Sequence, residues 1–153
     1  MLFRTAAEAD CRAVYDLICD MEAKQLPYPP FARIYRDVLS NADHEILLCE
    51  RDGDVIAVLH LRCEEQLHHA GRIAEIMELA VRDGCRSQGC GREMLERACR
   101  LAEDRGCSQI EVACNRLRED AHRFYQREGM KNFHSKLSRR LSGPDDGENV
   151  LGR

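Results

Sequence analysis

No apolar run in the 153 residues approaches the roughly 18 that a membrane-spanning helix requires. The first residues, Met-Leu-Phe-Arg-Thr-Ala-Ala-Glu, have neither the basic start nor the apolar centre of a secretion signal. The expectation is a cytoplasmic protein with no membrane partner. Cys-x-x-Cys is absent, and the nine cysteines are odd in number and sit mostly in apolar stretches. They read as reduced thiols serving as small hydrophobes rather than as a zinc or disulfide framework. The chain lacks a Gly-Lys-Ser/Thr phosphate loop, a Gly-x-Gly-x-x-Gly fingerprint and any internal repeat. Net charge is −4 with the signs interspersed, which excludes a nucleic-acid-binding face. No Cys–His or Ser–His pair has a spacing that invites a covalent intermediate.

What is present suits one globular domain: 44% of residues are hydrophobic and 33% charged. Residues 1–141 are expected to form it. Residues 142–153, with Gly-Pro-Asp-Asp-Gly-Glu-Asn-Val, have too little apolar content to fold and are expected to be a disordered tail. Residues 2–5 read as a strand. Val14, Leu17, Ile18 and Met21 recur at helical spacing over 7–24, Leu-Pro-Tyr-Pro-Pro interrupts, and a second helix is predicted over 31–39. Strands are predicted at 45–50 and 55–62 around an Asp-Gly turn, and a third at 72–81 after a polar loop over 64–71. A helix over 90–105 carries Met94, Leu95, Ala98, Leu101 and Ala102 on one face, then come a strand at 108–113 and a helix at 119–128. Residues 130–141 are expected to supply one or two closing strands. This order, β-α-α-β-β-β-α-β-α-β, is a mixed α/β layout.

Three segments carry chemistry. In the first, an apolar strand ends at Val81 and Arg86-Ser-Gln-Gly-Cys-Gly91 opens an amphipathic helix. Small residues there let several backbone N–H groups converge at the positive end of a helix dipole, which suits a diphosphate. The plain alternative is a glycine-containing turn. Cys85 and Cys90 flank this loop and are expected to be open to oxidation or alkylation. The second is the strand Ile73-Ala-Glu-Ile-Met-Glu-Leu-Ala-Val81. On a regular strand Glu75 shares a face with Leu79 and Glu78 points the other way; the plain reading of Glu75 is a solvated or ion-paired carboxylate. The third is Asp120-Ala-His-Arg-Phe-Tyr-Gln-Arg-Glu-Gly129, where Phe124 reads as core and Tyr125 as core or as a placed phenol. The adjacent His68 and His69 read equally as exposed loop residues or as ligands.

The spacing Arg86-x-x-Gly89-x-Gly91 after Glu-Leu-x-Val, with Ala121-x-x-Phe-Tyr-x-x-x-Gly129, resembles the GNAT superfamily of N-acetyltransferases, and the element order is similar across all but the tail. The resemblance implies a mostly antiparallel central sheet, splayed between two parallel strands and flanked by about four helices. It implies acetyl-CoA as cosubstrate, with its diphosphate on the amides of Ser87, Gln88, Gly89, Cys90, Gly91 and Arg92, and with Arg86 or Arg92 adding charge. Pantetheine would lie along Leu79, Ala80 and Val81 and reach Asn115. Tyr125 would approach the sulfur, and Glu75 would serve as base.

Longer stretches, Ala13-Val-Tyr-Asp-Leu-Ile-Cys, Leu67-His-His, the Ile73–Val81 strand and Asp120–Gly129, resemble the aminoalkylphosphonate N-acetyltransferases within that superfamily. The chain departs from them in the acidic Arg62-Cys-Glu-Glu-Gln segment and in the tail. Their likeness implies a small aminophosphonate as acceptor, with a divalent metal as a further option held by His68 or His69 with Glu75. Arg33, Arg36, Arg62, His68, His69 and Arg72 are the candidate cations for its phosphonate. Another small amine (a polyamine, amino acid or drug), a peptide N-terminus, or a non-catalytic CoA-binding regulatory module remain as alternatives, and a homodimer is left open.

Overall fold

Two hairpins build the sheet. In the computed structural model, which describes residues 1–142, β2 (His44–Arg51) turns at Asp52-Gly53 into β3 (Asp54–Gln66). Both turn residues take left-handed backbone, φ 54 and 84, the geometry that matches the twist of a two-residue hairpin. Strand β3 then passes through one 3-10 turn, Leu67–His69, into β4 (Gly71–Val81). Both pairings are antiparallel, and β1 (Leu2–Thr5) pairs antiparallel with β2. The polar loop expected over 64–71 is shorter than its sequence suggests. Glu64, Glu65 and Gln66 continue the ladder opposite Ile73, Arg72 and Gly71.

Helix α1 (Cys11–Glu22) ends where Ala23 turns left-handed. Helix α2 spans Tyr28–Leu39 and starts before the predicted Phe31. Pro29 and Pro30 fall in its first turn, where a missing N–H breaks no intrahelical bond and the fixed φ favours helix. From β4 the chain runs through α3 (Cys90–Asp104) into β5 (Cys107–Val112), and the strand order is β1-β2-β3-β4-β5. A crossover helix between neighbouring strands is the connection that parallel pairing needs.

The sheet buries both faces. On one, Ile46, Leu48, Val58 and Ala80 pack with Val14, Leu17 and Ile18 of α1 and Tyr35 of α2. On the other, α3 packs on β2, β3 and β4 with Cys90, Met94, Leu95, Ala98 and Ala102 buried. Leu48, Leu59, Leu61, Ile73, Ile76 and Met94 are among the largest fully buried side chains. Removing such a residue to alanine costs about 2–5 kcal/mol. Cys49, Cys63, Cys85 and Cys90 are buried and all nine cysteines are free, in keeping with small apolar fillers.

The chain divides into two units, Met1–Glu111 and Val112–Arg153. Within the second, α4 (Glu119–Arg127) is followed by Gly129 at φ 90. Residues 130–141 form no strand, contrary to expectation. Their large apolar residues Phe133, Leu137 and Leu141 recur only every fourth position and are 76%, 92% and 93% exposed. Lys131, Lys136, Arg139 and Arg140 lie among them. That density cannot cover one face of a strand with period two. Of the expected tail, residues 143–153 lie outside the described residues. No helix among the described residues is long and apolar enough to cross a membrane.

Candidate functional site

Between β4 and α3 the loop needs unusual backbone. Gly84, Ser87 and Gly89 have φ of 82, 61 and 84, values that only glycine adopts freely. The N–H of Cys85 donates to Arg82 O at 3.0 Å. From the end of β2, Arg51 donates to Gln88 Oε1 and, at 2.8 Å, to Cys85 Sγ, while Gln88 Nε2 donates to Gly84 O at 3.1 Å. Arg86 donates to Val81 O at 3.4 Å and pairs with Asp83 at 3.1 Å.

Gly89 is the N-cap of α3, and no side chain caps it. The first intrahelical bond runs from the Glu93 N–H to Gly89 O at 3.1 Å, so the amides of Cys90 and Gly91 have no intrahelical acceptor. Those donors and the helix dipole form a surface suited to an anion. A Cβ built at Gly84 or Gly89 would meet nothing within 4 Å, so the space beside the loop is open. Arg86, Ser87, Gln88 and Arg92 are exposed. Cys85 and Cys90 instead point into the core, 5% and 2% exposed. Burial, helped by a hydrogen bond with Cys49, pushes the Cys90 thiol up to about 12. The expected sensitivity of this pair to alkylation does not survive that burial.

The middle of β4 departs from regular alternation. His60 pairs with Glu78 but Leu61 pairs with Ile76, so Met77 is an inserted residue. The insertion corrects the parity expected from sequence. Glu75 lies opposite Arg62 and Glu78 opposite His60, and since His60 and Arg62 are two residues apart, both carboxylates share one face. Leu79, opposite Leu59, is on the other.

The shared face carries a polar array. Arg62 Nη2 donates to Glu75 Oε2 at 2.8 Å and reaches Glu64 Oε1 at 3.5 Å. Gln66 Nε2 donates to Glu64 Oε1 at 3.0 Å, and His69 Nδ1 lies 2.8 Å from Gln66 Oε1. His60 Nδ1 is 2.7 Å from Glu78 Oε2, and its Nε2 is 2.8 Å from His44 Nδ1. The two imidazoles stack with centroids 5.1 Å apart. Burial first, then the charges of His60 and Arg62, lowers the pKa of His44. Arg62 Nε is buried with no hydrogen-bond partner.

The other sequence candidates are spread more widely. His68 and His69 stand at the β3–β4 hairpin tip with ring centroids 4.2 Å apart, His68 exposed. Arg72 pairs with Asp43 at 2.9 Å and holds that carboxyl below its ordinary pKa. Arg33 pairs with Asp37 on α2, where Arg36 is exposed. Among the described residues no group of three or more His, Cys, Asp or Glu is placed to hold a metal ion. Of the set His68 or His69 with Glu75, Glu75 Oε2 accepts from Arg62 and His69 Nδ1 lies against Gln66 Oε1.

Within the second unit, Asn115 shapes the turn before α4. Its Oδ1 accepts from the Leu117 N–H at 2.9 Å, and its carbonyl accepts from the Arg118 N–H at 3.0 Å. His122 Nε2 lies 2.8 Å from the same carbonyl. Tyr125 is half-buried, edge-on to Phe124 at 5.1 Å.

Sequence reasoning passed over His44, His60, Arg51, Glu64 and Gln66. One signal was available for three of them: His60-x-Arg62-x-Glu64-x-Gln66 alternates polar residues at strand period. Nothing local marks His44 or Arg51, whose partners lie 16, 34 and 37 residues away.

The acetyltransferase (GNAT) family model matches residues 11–130. An aminoalkylphosphonate N-acetyltransferase from Salmonella typhimurium is 36% identical over 138 residues, 90% of this chain and 90% of that protein. A transcriptional regulator from Bacillus halodurans superposes with a TM-score of 0.84 at 22% identity, covering 92% of this chain and 99% of that one. An aminoglycoside antibiotic 6'-N-acetyltransferase from Acinetobacter haemolyticus gives 0.81 at 14% identity, covering 94% and 100%. Identities that low carry the fold alone.

Proposed function

The chain belongs to the GNAT acetyltransferase family, and on that premise we propose that it moves an acetyl group from acetyl-CoA to the primary amine of a small aminoalkylphosphonate, by direct attack in a ternary complex. The observation that carries the acceptor class is the end-to-end likeness to the Salmonella enzyme, which bears that activity in its name. The buried, unpartnered Nε of Arg62 supports it, because an anionic oxygen would satisfy that donor.

Bound acetyl-CoA supplies an activated acetyl thioester. The amides of Ser87, Gln88, Gly89, Cys90, Gly91 and Arg92 hold its diphosphate, and Arg86 and Arg92 add positive charge. Leu79, Ala80 and Val81 offer backbone to the pantetheine arm, as does Asn115, and an N–H near Leu79 or Ala80 donates to the thioester oxygen. Arg62, Arg72, His68 and His69 are the cations and donors for the phosphonate.

An aliphatic amine with a pKa near 10.4 is neutral in only about one molecule in 2,500 at pH 7, a cost of about 4.6 kcal/mol. Glu75 takes that proton, directly or through water. Tyr125 donates a hydrogen bond to the departing sulfur. A phenol near pKa 10 is a weaker acid than a thiol near 8.5, so complete transfer is uphill by about 2 kcal/mol. Stabilising developing charge is therefore the role assigned to Tyr125.

The test is acetyl-CoA turnover, read as released thiol, with 2-aminoethylphosphonate against the matched aminocarboxylate, with and without a chelator. The expected result is at least tenfold higher kcat/KM for the phosphonate. A preference for the carboxylate would transfer the acceptor assignment to another class of small amine.

A further inference from the structure

Glu78, His60 and His44 come from three adjacent strands, β4, β3 and β2, and are joined end to end by contacts of 2.7 and 2.8 Å. None of the roles assigned above uses them. We propose that this line is the exit route for the proton that the acceptor ammonium gives up, with Glu78 at its inner end and His44 at its outer end. The proposal rests on the transferase reading and concerns residues that reading leaves idle.

Each turnover converts an ammonium and a thioester into an amide, a thiol and one free proton, so one proton must leave the site. Glu75 and Glu78 share a face, their partners Arg62 and His60 about 7 Å apart along β3, and in the proposed route water carries the proton between the two carboxylates. A proton on Glu75 removes the charge that binds Arg62, so passing it on restores the ion pair. With Glu78 protonated, the line is polarised outward. The Glu78 O–H faces His60 Nδ1, the His60 Nε2–H faces His44 Nδ1, and the His44 Nε2–H is the last donor of the line. Moving one proton along each bond breaks the O–H of Glu78, exchanges one N–H for another on each imidazole, and delivers one proton to water. No other reactant is consumed.

The surroundings suit a transfer line. His60 and Glu78 side chains are 14% and 25% exposed, so most of the inner contact is withdrawn from bulk water. The charged groups beside the line from the sheet are Arg62 and Glu75, with Asp43 just before β2. From the helices packed on this face, the titratable residues that are buried are Tyr15 and Tyr35. Their hydroxyls donate to Leu26 O at 2.6 Å and Ala7 O at 2.7 Å, and burial raises both pKa values. Both phenols therefore stay neutral at pH 7. The lowered pKa of His44 keeps it a neutral relay at pH 7.

Two measurements test the proposal. In turnover assays, His60→Gln, which keeps a hydrogen-bonding side chain but cannot titrate, is expected to lower kcat at least tenfold with KM for acetyl-CoA unchanged. The solvent deuterium isotope effect on kcat should rise, and imidazole buffer should restore part of the rate of His60→Ala. His60→Gln with the kcat and pH profile of the parent would overturn the line, as would loss of kcat in both variants without rescue. Nitrogen NMR of the ligand-free protein gives an answer independent of any acceptor. The rings of His44 and His60 are expected to titrate together, and Glu78→Gln should shift both. Independent titration would overturn the line even if aminophosphonates are acetylated, whereas linked titration with no turnover on aminophosphonates would count against the acceptor assignment alone.

Discussion

Glu75 and Glu78 stand on the same face of β4 because Met77 is inserted between their cross-strand partners. Three residues apart on a regular strand, they would face opposite ways. The insertion puts one carboxylate on Arg62 and the other on His60, side by side. Two carboxylates with different partners can divide the work of taking and passing a proton, where two on opposite faces could not.

If Glu75 is the base, Glu75→Gln keeps the hydrogen bond from Arg62 and removes only the proton acceptor. We expect kcat to fall by about 100-fold or more, with acetyl-CoA affinity unchanged. The loss should shrink as pH rises toward the pKa of the amine, because the solution then supplies neutral acceptor. Rates measured from pH 7 to pH 10 check this.

Tyr125→Phe is expected to lower kcat more than it weakens acetyl-CoA binding, since the phenol acts where charge develops on sulfur. Paired kcat and Kd values decide it, and unchanged turnover across the pH profile would defeat the role.

Gly89 tests the loop. Its φ of 84 costs a side-chain-bearing residue about 1–2 kcal/mol, although a Cβ meets no atom within 4 Å. Gly89→Ala should therefore lower Tm by a few degrees through backbone strain alone. It should also raise KM for acetyl-CoA several-fold, because relief of that strain would turn the amides away. An unchanged KM with a lowered Tm would separate the loop from cofactor binding.

These expectations differ in how visible they were beforehand. The loop was legible because its signals are local: glycines where φ is positive, followed by a helix with apolar spacing. Glu75 was legible as a candidate but not by its partner or its face. The hairpin tip appeared longer than it is because Glu64, Glu65 and Gln66 are polar, and polarity does not distinguish a loop from a strand with one wet face. The closing strands expected over 130–141 were inferred from continuity rather than from period, and the three isolated apolar residues there do not make one.

Thiol chemistry follows burial. Brief treatment of the native protein with iodoacetamide at pH 7.5 should leave Cys49, Cys63, Cys85 and Cys90 unmodified, with any labelling confined to the half-buried Cys11, Cys19, Cys99, Cys107 and Cys114. Mass spectrometry of the digested protein reads this directly. Labelling of Cys90 at rates comparable with those sites would contradict its buried, high-pKa thiol.

Acid stability should depend on Asp10. Two hydrogen bonds from Arg4, at 2.7 and 2.8 Å, hold its carboxyl below the ordinary value near about 3.9. A depressed folded-state pKa contributes stability that is complete above the unfolded value and is lost as pH falls below about 4 toward the folded one. Asp10→Asn should therefore be less stable than the parent at pH 7, with the gap closing in that acid window. Urea midpoints measured from pH 2.5 to pH 7 check it.

By itself the sequence determined the parts whose cause lies within a few residues. These are the apolar periods that make α1, α3 and the strands, the Asp52-Gly53 turn, and the glycines that let the loop before α3 expose its amides. Tertiary structure alone decided which side chains meet. The face of Glu75 relative to Glu78 depends on where β3 and β4 slip register, and the contacts of His60 depend on residues 16 positions before it and 18 after. Such pairings minimise the free energy of the whole sheet, so no local window of the chain contains them.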